Sequence, residues 1–291
     1  MGIFDRRGPN YPQQQRPRGG GIGGRLLIAV IIAMVGLFMY WSNVQENPVT
    51  GERQHVGMSP DQEIKLGIQS APEMSREMGG EMASSDIRTE TVQRIGQKLV
   101  DNTLAKKSPW QYHFHLLADS ETVNAFALPG GQIFITLGLY SKLKNEAQLA
   151  GVLSHEMGHV IERHSSQQMA KSQLGNMLVV AFGAAASDQG SNSNSMMIAA
   201  MVNQMIQLRY SRGDESQADV WGIKLMEAIG YDPRAMINVM EVLKAASGGK
   251  GGGLEIFQSH PNPDLRIRQI QDYLRNNPAP TGLGMGKALP Q

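Results

Sequence analysis

The sequence predicts an α+β fold that is mainly α-helical, with a small β-sheet and one N-terminal transmembrane helix before the folded domain. Apolar residues recur at helical spacing over most of the chain beyond residue 59. Only residues 110–117 and 132–136 have the pattern of short strands. Residues 26–41 form one uninterrupted apolar run. At 291 residues, the chain is long enough for one sizeable domain with appendages.

The composition excludes several classes of function. A formal net charge of +1 argues against a dedicated nucleic-acid binder, which normally carries a basic patch. The chain has no cysteine, so disulfides, thiolate zinc sites and a cysteine nucleophile are excluded. Catalysis must therefore come from His, Asp, Glu or Ser side chains, or from a metal ion.

The N-terminal residues 1–25 are basic and rich in Gly, Pro and Gln, which predicts a disordered segment. We predict that residues 26–42 form a transmembrane anchor, although the apolar run is slightly short for a hydrocarbon core of about 30 Å. Because arginines precede this run, the rest of the chain should lie on the periplasmic side of a bacterial inner membrane. The alternative is a cleaved signal peptide, but no small-x-small cleavage site follows the run.

Residues 43–58 are polar and contain a proline, and we expect them to form a linker. The folded domain should occupy residues 59–275, beginning with a helix whose start is marked by Ser59 and Pro60. A second helix fits residues 87–104.

The two predicted strands follow these helices. In the first strand, 110–117, His113 and His115 lie on the face opposite the apolar residues. Two histidines at this spacing could bind a metal, but a solvent-facing position is favoured. The second strand, 132–136, follows a loop at 124–131.

Residues 174–208 contain two apolar arms around a polar turn, which could form a membrane hairpin. Both arms fall short of the roughly 20 residues needed to span a bilayer, so a soluble helical hairpin is favoured. A flexible glycine-rich loop is expected at 247–253, a last helix at 264–274 and a flexible tail at 276–291.

Residues 155–159 read His-Glu-Met-Gly-His within a helix predicted at 145–164. On a helix, positions i and i+4 lie on the same face, so His155 and His159 can offer two imidazoles to one metal ion. Glu156 is then placed to take a proton from a water molecule at that metal. The alternative is that neighbouring groups satisfy two ordinary helical histidines.

A catalytic zinc site needs a third protein ligand. One class with this motif supplies a later histidine, but its required positions here hold Glu162 and Ser165, so that class is ruled out. His164 is displaced by one residue and is expected to be a surface or packing residue. Glu215 could instead reach the metal, while Asp219, on the same helical face, could accept the N–H of a ligand histidine. Alternatively, this pair is a solvated helix face.

Together with the segment 124–131, Asn-Ala-Phe-Ala-Leu-Pro-Gly-Gly, these motifs resemble the gluzincin metallopeptidases of the HtpX, BepA, Oma and CAAX prenyl protease group. The resemblance covers roughly residues 60–275. It implies a zincin-type metalloprotease domain with a small β-sheet, one Zn²⁺ ion and peptide-bond hydrolysis. Its zinc ligands would be His155, His159 and Glu215.

The family pattern also includes a late His-Pro pair followed by an arginine, matched here by His260, Pro261 and Arg266. In relatives this histidine lies near the zinc, where it could stabilise an oxyanion or act as an inhibitory fourth ligand. A capping histidine before a turn is the alternative. HtpX and the prenyl proteases span the membrane several times, whereas residues 174–208 of this chain are too short and too polar to span it. The resemblance therefore favours the periplasmic, BepA-like members. Isoprenylated substrates are not expected.

The leading hypothesis is a zinc-dependent endopeptidase that acts on unfolded or misassembled envelope proteins, with Glu156 and His260 as catalytic residues. If the strand at 130–136 lies at a sheet edge by the cleft, we expect it to hold an extended substrate by backbone pairing. The residues expected in this substrate strand are Gly130, Gly131, Gln132 and Ile133.

Two other hypotheses belong to different classes of function. The chain could be a chaperone or assembly factor with a latent protease site, in contact with the envelope assembly machinery. It could also be a structural zinc module, although an open coordination position and a glutamate base argue against this reading. The expected partners are protein or peptide substrates and a membrane, but not nucleic acid.

Overall fold

The computed structural model describes residues 22–184, 209–246 and 255–291. The predicted disordered segment up to residue 21, most of the predicted hairpin and the glycine-rich loop lie outside these residues. The described helices are α1 (Ile22–Ser42), α2 (Pro60–Glu77), α3 (Ile87–Asp101), α4 (Leu137–Tyr140), α5 (Glu146–Ile161), α6 (His164–Ala184), α7 (Arg212–Ala228), α8 (Ala235–Ala246), α9 (Ile256–Ser259) and α10 (Pro263–Asn276). The described strands are β1 (Val44–Glu46), β2 (Arg53–His55), β3 (His113–Leu117), β4 (Ala125–Ala127) and β5 (Gln132–Thr136). The mainly helical prediction is confirmed.

Capping side chains explain where several helices begin. Ser59 and Gln62 form a capping box at the start of α2, so the predicted start is confirmed. Asn145 accepts a hydrogen bond from the backbone N–H of Gln148 and starts α5. The side chain of Ser211 likewise accepts a hydrogen bond from the backbone N–H of Asp214 at the start of α7.

The main sheet has the strand order β3-β5-β4, with β3 parallel and β4 antiparallel to β5. β5 is therefore the central strand. Just before it, the carbonyls of Gly130 and Gly131 accept hydrogen bonds from the N–H groups of Gln111 and His113. The edge position on which substrate pairing at this strand depends is not found, because β3 and β4 occupy both sides of Gln132–Thr136. The edge strand on the side of α5 is β4.

α5 is buried along its whole length and packs mainly against α7, with further contacts to α8, α3 and β4. A glycine allows α5 and α7 to approach closely. A Cβ placed on Gly158 would lie only 2.9 Å from the Cα of Ala218. The glycine of the His-Glu-Met-Gly-His motif thus brings the acidic helix α7 close to the two histidines.

The segment predicted to be a linker instead forms the antiparallel hairpin β1–β2. The side-chain amide of Asn47 donates to the carbonyl of Ile161 at 2.8 Å, and that of Gln54 donates to the carbonyl of Glu162 at 3.0 Å. These carbonyls lie at the C-terminal end of α5, where a helix leaves its last carbonyls unpaired. The linker prediction is wrong because residues 43–58 cap that end.

The C-terminal tail is also docked rather than loose. The N–H groups of Glu146 and Ala147 donate to the carbonyls of Lys287 and Met285, and Leu289 is buried. The first N–H groups of a helix have no partner within the helix. Residues 285–289 supply those partners for α5, which corrects the prediction of a flexible tail for this stretch.

α1 is apolar and packs along α6. Within the described part of the chain, no helix meets both the length and the apolar character required to cross a membrane.

Candidate metal centre

Four side chains from three parts of the chain converge on one buried point. The Nε2 atoms of His155 and His159, both on α5, lie 3.1 Å apart. Glu215, on α7, brings its carboxylate oxygens to 3.5 Å from His155 Nε2 and 3.6 Å from His159 Nε2. Nδ1 of His260 lies 3.3 Å from His155 Nε2 and 3.0 Å from a Glu215 oxygen. We call these four residues, His155, His159, Glu215 and His260, the metal group. One possible ligand atom from each of them lies within 4.8 Å of the others.

The donor set fits a zinc ion. With zinc–nitrogen distances of about 2.0–2.1 Å, tetrahedral geometry places neighbouring nitrogens about 3.3 Å apart, close to the spacings found here. Two further atoms, Nε2 of His260 and Oε2 of Glu156, are buried without a hydrogen-bond partner. Buried polar atoms without partners are costly, and they mark a place where a ligand is expected.

Further charged groups surround these four side chains and hold them in position. Nδ1 of His155 lies 3.0 Å from an Asp219 oxygen. Arg266 forms a two-point contact with Asp219, and its Nη1 lies 2.7 Å from Glu215. Burial alone would raise the pKa of Glu215, but the charges of Arg266 and His260 hold it well below its ordinary value. Glu215 is therefore ionised, as a metal ligand must be.

The two motif histidines differ in protonation. Burial and the nearby His155 hold the pKa of His159 well below its ordinary value, so His159 is neutral and ready to bind a metal. Burial and Arg266 lower the pKa of His155, but hydrogen bonds to Asp219 and Glu215 outweigh them and raise it to about 9. A metal that binds here must displace a proton from His155.

His164 is buried beside this group and is not a surface residue. Its Nδ1 lies 2.9 Å from Nδ1 of His159, and its Nε2 lies 3.1 Å from the side-chain oxygen of Gln217. Helical spacing from His159 does not predict this contact, because Arg163 has a φ of 57° and redirects the chain between α5 and α6. Arg163 is held there by a buried ion pair with Glu63.

Tyr210 is another residue that the sequence pattern did not single out. Its ring stacks on His159 with the ring centroids 3.9 Å apart, and its hydroxyl lies 3.0 Å from the hydroxyl of Ser165. Burial raises the pKa of Tyr210. It lies just before α7, where no local pattern distinguishes it from a core tyrosine.

The structure places the other predicted site residues as follows. Glu156 is buried next to the metal group, with one oxygen 3.6 Å from Nε2 of His260, and burial raises its pKa. Gln132 and Ile133 begin the central strand β5, whereas Gly130 and Gly131 lie in the turn just before it. His115 contacts Glu81 and Gln132 instead of joining the metal group.

The site is closed in this conformation. All four residues of the metal group and Glu156 are buried. α9 and His260 lie over the site: the N–H of Tyr210 donates to the carbonyl of Ser259, and the N–H of Ile256 donates to the carbonyl of Val123. A peptide could reach Glu156 only after this cover moves.

Comparisons with known proteins agree with this geometry. The model of peptidase family M48 matches residues 86–274. The mitochondrial metalloendopeptidase OMA1 of Schizosaccharomyces pombe is 29% identical over 249 residues, which cover 85% of this chain and 71% of that protein. The beta-barrel assembly-enhancing protease of Yersinia pestis is 27% identical over 80% of this chain, and that of Escherichia coli is 28% identical over 66%. The matched regions span about half of the Yersinia protein, 52%, and 40% of the Escherichia protein.

Proposed function

This chain belongs to peptidase family M48, and we propose that it is an endopeptidase that cleaves unfolded or misassembled proteins of the bacterial envelope. A zinc-dependent metalloprotease follows from the family and from the donor set. The observation that supports the proposed chemistry most directly is the buried group of His155, His159 and Glu215 with Glu156 beside it.

In the proposed mechanism, His155, His159 and Glu215 hold the metal. When bound, zinc lowers the pKa of a water molecule and polarises a carbonyl group. Glu156 takes a proton from the attacking water and returns it to the leaving amine. Because burial raises its pKa, the Glu156 carboxyl is closer to the range in which one group can both accept and donate a proton.

Two roles are proposed for His260, one in each conformation of the cover. With the cover closed, Nδ1 of His260 occupies a ligand position next to Glu215 and His155, which supports an inhibitory fourth ligand. Nε2 has no hydrogen-bond partner and lies 3.6 Å from Glu156. This nitrogen would be available to stabilise an oxyanion once substrate has displaced Nδ1 from the metal group.

We propose that substrate pairs with β4 rather than with the strand that was first expected. Among the described strands, β4 pairs only with β5, so its other side is the sheet edge nearest α5. An extended peptide added there would lie over the metal-bearing helix. The cover formed by α9 now lies at this edge, since Ile256 bonds to Val123 just before β4.

The test of the proposed chemistry is Glu156→Gln. This variant should keep its zinc content but lose at least about 100-fold in the hydrolysis of a denatured model protein, because the general base is gone. Glu162→Gln is the matched control, since Glu162 is also buried at this helix but accepts hydrogen bonds from Gln54 and Trp221. Wild-type activity in Glu156→Gln would refute the role of Glu156.

We further propose that α1 anchors the chain in a bacterial inner membrane, with the catalytic domain on the periplasmic side. Most of the exposed large apolar side chains among the described residues belong to α1. They are Leu26, Leu27, Ile28, Val30, Ile31, Met34, Val35, Leu37, Phe38, Met39 and Trp41. Wild type should resist extraction with carbonate and dissolve in detergent, whereas a chain without residues 1–42 should be recovered in the soluble fraction.

A chaperone or assembly factor with a latent protease is the second candidate, and the closed site favours it. In that case the assembly machinery of the envelope would be the partner. Complementation separates the two functions: full rescue of a deletion strain by Glu156→Gln would support the chaperone, and loss of rescue would support the protease.

A further inference from the structure

Arg163 lies at the junction between α5 and α6, with its side chain fully buried and its backbone at a φ of 57°. A residue with a Cβ is strained in this left-handed conformation, which glycine adopts at little cost. Such strain persists only where the surrounding contacts hold the residue in place. The contacts of the Arg163 side chain therefore decide the path of the chain at this junction.

The guanidinium of Arg163 joins three segments of the N-terminal part of the chain. Nε and Nη2 donate to one carboxylate oxygen of Glu63, at 2.9 and 2.7 Å. Nη2 also donates to the carbonyl of Met58 at 2.7 Å and to the side-chain oxygen of Gln45 at 3.3 Å. The planar fork of an arginine suits this task, because it offers several donors in a fixed geometry. It ties β1, the segment before α2 and α2 itself to one point.

The same part of the chain also holds the two residues before Arg163. As described above, Asn47 donates to the carbonyl of Ile161, and Gln54 donates to the carbonyl of Glu162. Residues 45–63 therefore hold three consecutive residues at the end of the helix that carries the two motif histidines.

Glu63 is a firm anchor for this arrangement, because α2 lies flush against the sheet. A Cβ added to Gly67 would overlap the carbonyl oxygen of Pro129, and one added to Gly130 would overlap the backbone of Ile64. These contacts fix α2 against the turn between β4 and β5. Glu63, in the first turn of α2, cannot shift without moving that turn.

The two residues that follow Arg163 support His159 from the side. Nδ1 of His164 lies 2.9 Å from Nδ1 of His159. The hydroxyl of Ser165 lies 3.0 Å from that of Tyr210, whose ring stacks on His159. Both supports of this histidine thus depend on the direction in which the chain leaves Arg163.

We propose that residues 45–63 position the metal site through Arg163, although they precede the region 86–274 that the M48 family model matches. Arg163 is then a positioning residue, which acts on His159 through the two residues that follow it. Zinc affinity is measured without a substrate, so this role is independent of the proposed endopeptidase function.

The first test replaces Arg163 by lysine in the full chain. Arg163→Lys keeps a charge beside Glu63, but a single ammonium cannot reproduce the fork that also binds Met58 and Gln45. Zinc affinity, measured by competition with a chelator, should fall about tenfold, the lower end of the range for a lost partner of a ligand histidine. The visible spectrum of the Co²⁺-loaded chain should also shift, because it reports the geometry of the ligands. A role in stability alone would lower Tm and leave both unchanged.

The second test uses Asn47→Asp in the full chain. The new side chain keeps the oxygen that accepts from the N–H groups of Val49 and Thr50, but it loses the donor to Ile161. Zinc affinity should fall about threefold, since the effect reaches His159 less directly than that of Arg163. Asn102→Asp is the matched control, because the amide of Asn102 donates to a carbonyl at the C-terminal end of α3, outside the metal group.

Wild-type zinc affinity and an unshifted Co²⁺ spectrum in both Arg163→Lys and Asn47→Asp would overturn the proposal. An equal loss of zinc affinity in Asn102→Asp would also overturn it, since the loss would then follow from destabilisation. A loss in Arg163→Lys alone would overturn the part assigned to β1–β2 and support the contact with Glu63. If Arg163→Lys does not fold, Asn47→Asp decides the outcome against its control.

Discussion

His159 is held by a neutral relay rather than by a carboxylate. If its Nδ1–H donates to Nδ1 of His164, the proton of His164 must be on Nε2, where it donates to Gln217. This arrangement leaves Nε2 of His159 as the free lone pair facing the metal group. Asp219 fixes His155 in a similar way, so each motif histidine has its own partner.

We therefore predict that His164→Phe weakens zinc affinity by about 10–100-fold, since the ring volume remains but both hydrogen bonds are lost. Competition with a chelator measures this affinity directly. His113→Phe is the control, because His113 is an exposed histidine on β3. An unchanged zinc affinity in His164→Phe would show that the relay does not position His159.

Among single residues, the sequence predicts those that lie within one turn of a helix from each other. His155, Glu156 and His159 follow from one turn of helix, and Glu215 with Asp219 from one turn of another. Tyr210 could not be predicted, because no local pattern distinguishes it from a core tyrosine. His164 could not be predicted, because Arg163, between α5 and α6, redirects the chain by a left-handed backbone conformation. That conformation depends on a buried contact with Glu63, about 100 residues away in the chain.

At the scale of elements, α5 is held at both ends by segments that were expected to be loose. The hairpin β1–β2 caps its C-terminal carbonyls, and residues 285–289 pair with its N-terminal N–H groups. Glu146 joins the tail to the start of α5. Its carboxylate accepts hydrogen bonds from Arg94, Tyr231 and the N–H of Lys287.

This contact predicts a pH-dependent stability. Burial raises the pKa of Glu146, but the donors from Lys287, Arg94 and Tyr231 outweigh it and lower the pKa from its ordinary 4.5. A carboxyl whose pKa is lowered on folding stabilises the protein above its unfolded pKa, and this stabilisation is lost as the pH falls through the folded pKa. Glu146→Gln should thus lower the free energy of unfolding by about 1–2 kcal/mol at pH 7.

Denaturant unfolding of wild type and Glu146→Gln, from pH 7 down to pH 3, measures this difference. The difference in the free energy of unfolding between wild type and Glu146→Gln should stay constant at neutral pH and narrow below about pH 4.5. Glu241→Gln, an exposed position on α8, should show almost no gap. A gap that does not change with pH would mean that the Glu146 charge does not hold the tail.

The sequence predicts long elements better than short ones. Periodicity and caps locate α2, α3 and α5, whereas β1, β2 and β4 have only three residues each, too few for a pattern. The order β3-β5-β4 also depends on pairing between distant segments. For that reason, the pattern of residues 132–136 predicts a strand but not its central position in the sheet.

For the whole molecule, the buried charges around the metal group balance only through the proton on His155. Arg266 contributes +1 and Glu215 and Asp219 contribute −1 each, and His155, whose pKa is raised to about 9, carries the remaining +1 at neutral pH. Buried charge without compensation destabilises a fold. A divalent cation between His155, His159 and Glu215 would take the place of that proton, so the folded chain should bind zinc far more tightly than the unfolded chain.

Zinc is therefore predicted to stabilise the whole domain. At free zinc 1,000-fold above Kd, binding contributes about 4 kcal/mol, which is about 8–16 °C in Tm for a domain of this size. Thermal unfolding with zinc and after chelation measures the shift. Glu215→Gln should lose most of it, whereas Glu227→Gln, on the same helix but outside the metal group, should keep it. An identical Tm for wild type with and without zinc would mean that the four buried side chains do not hold a metal that matters to the fold.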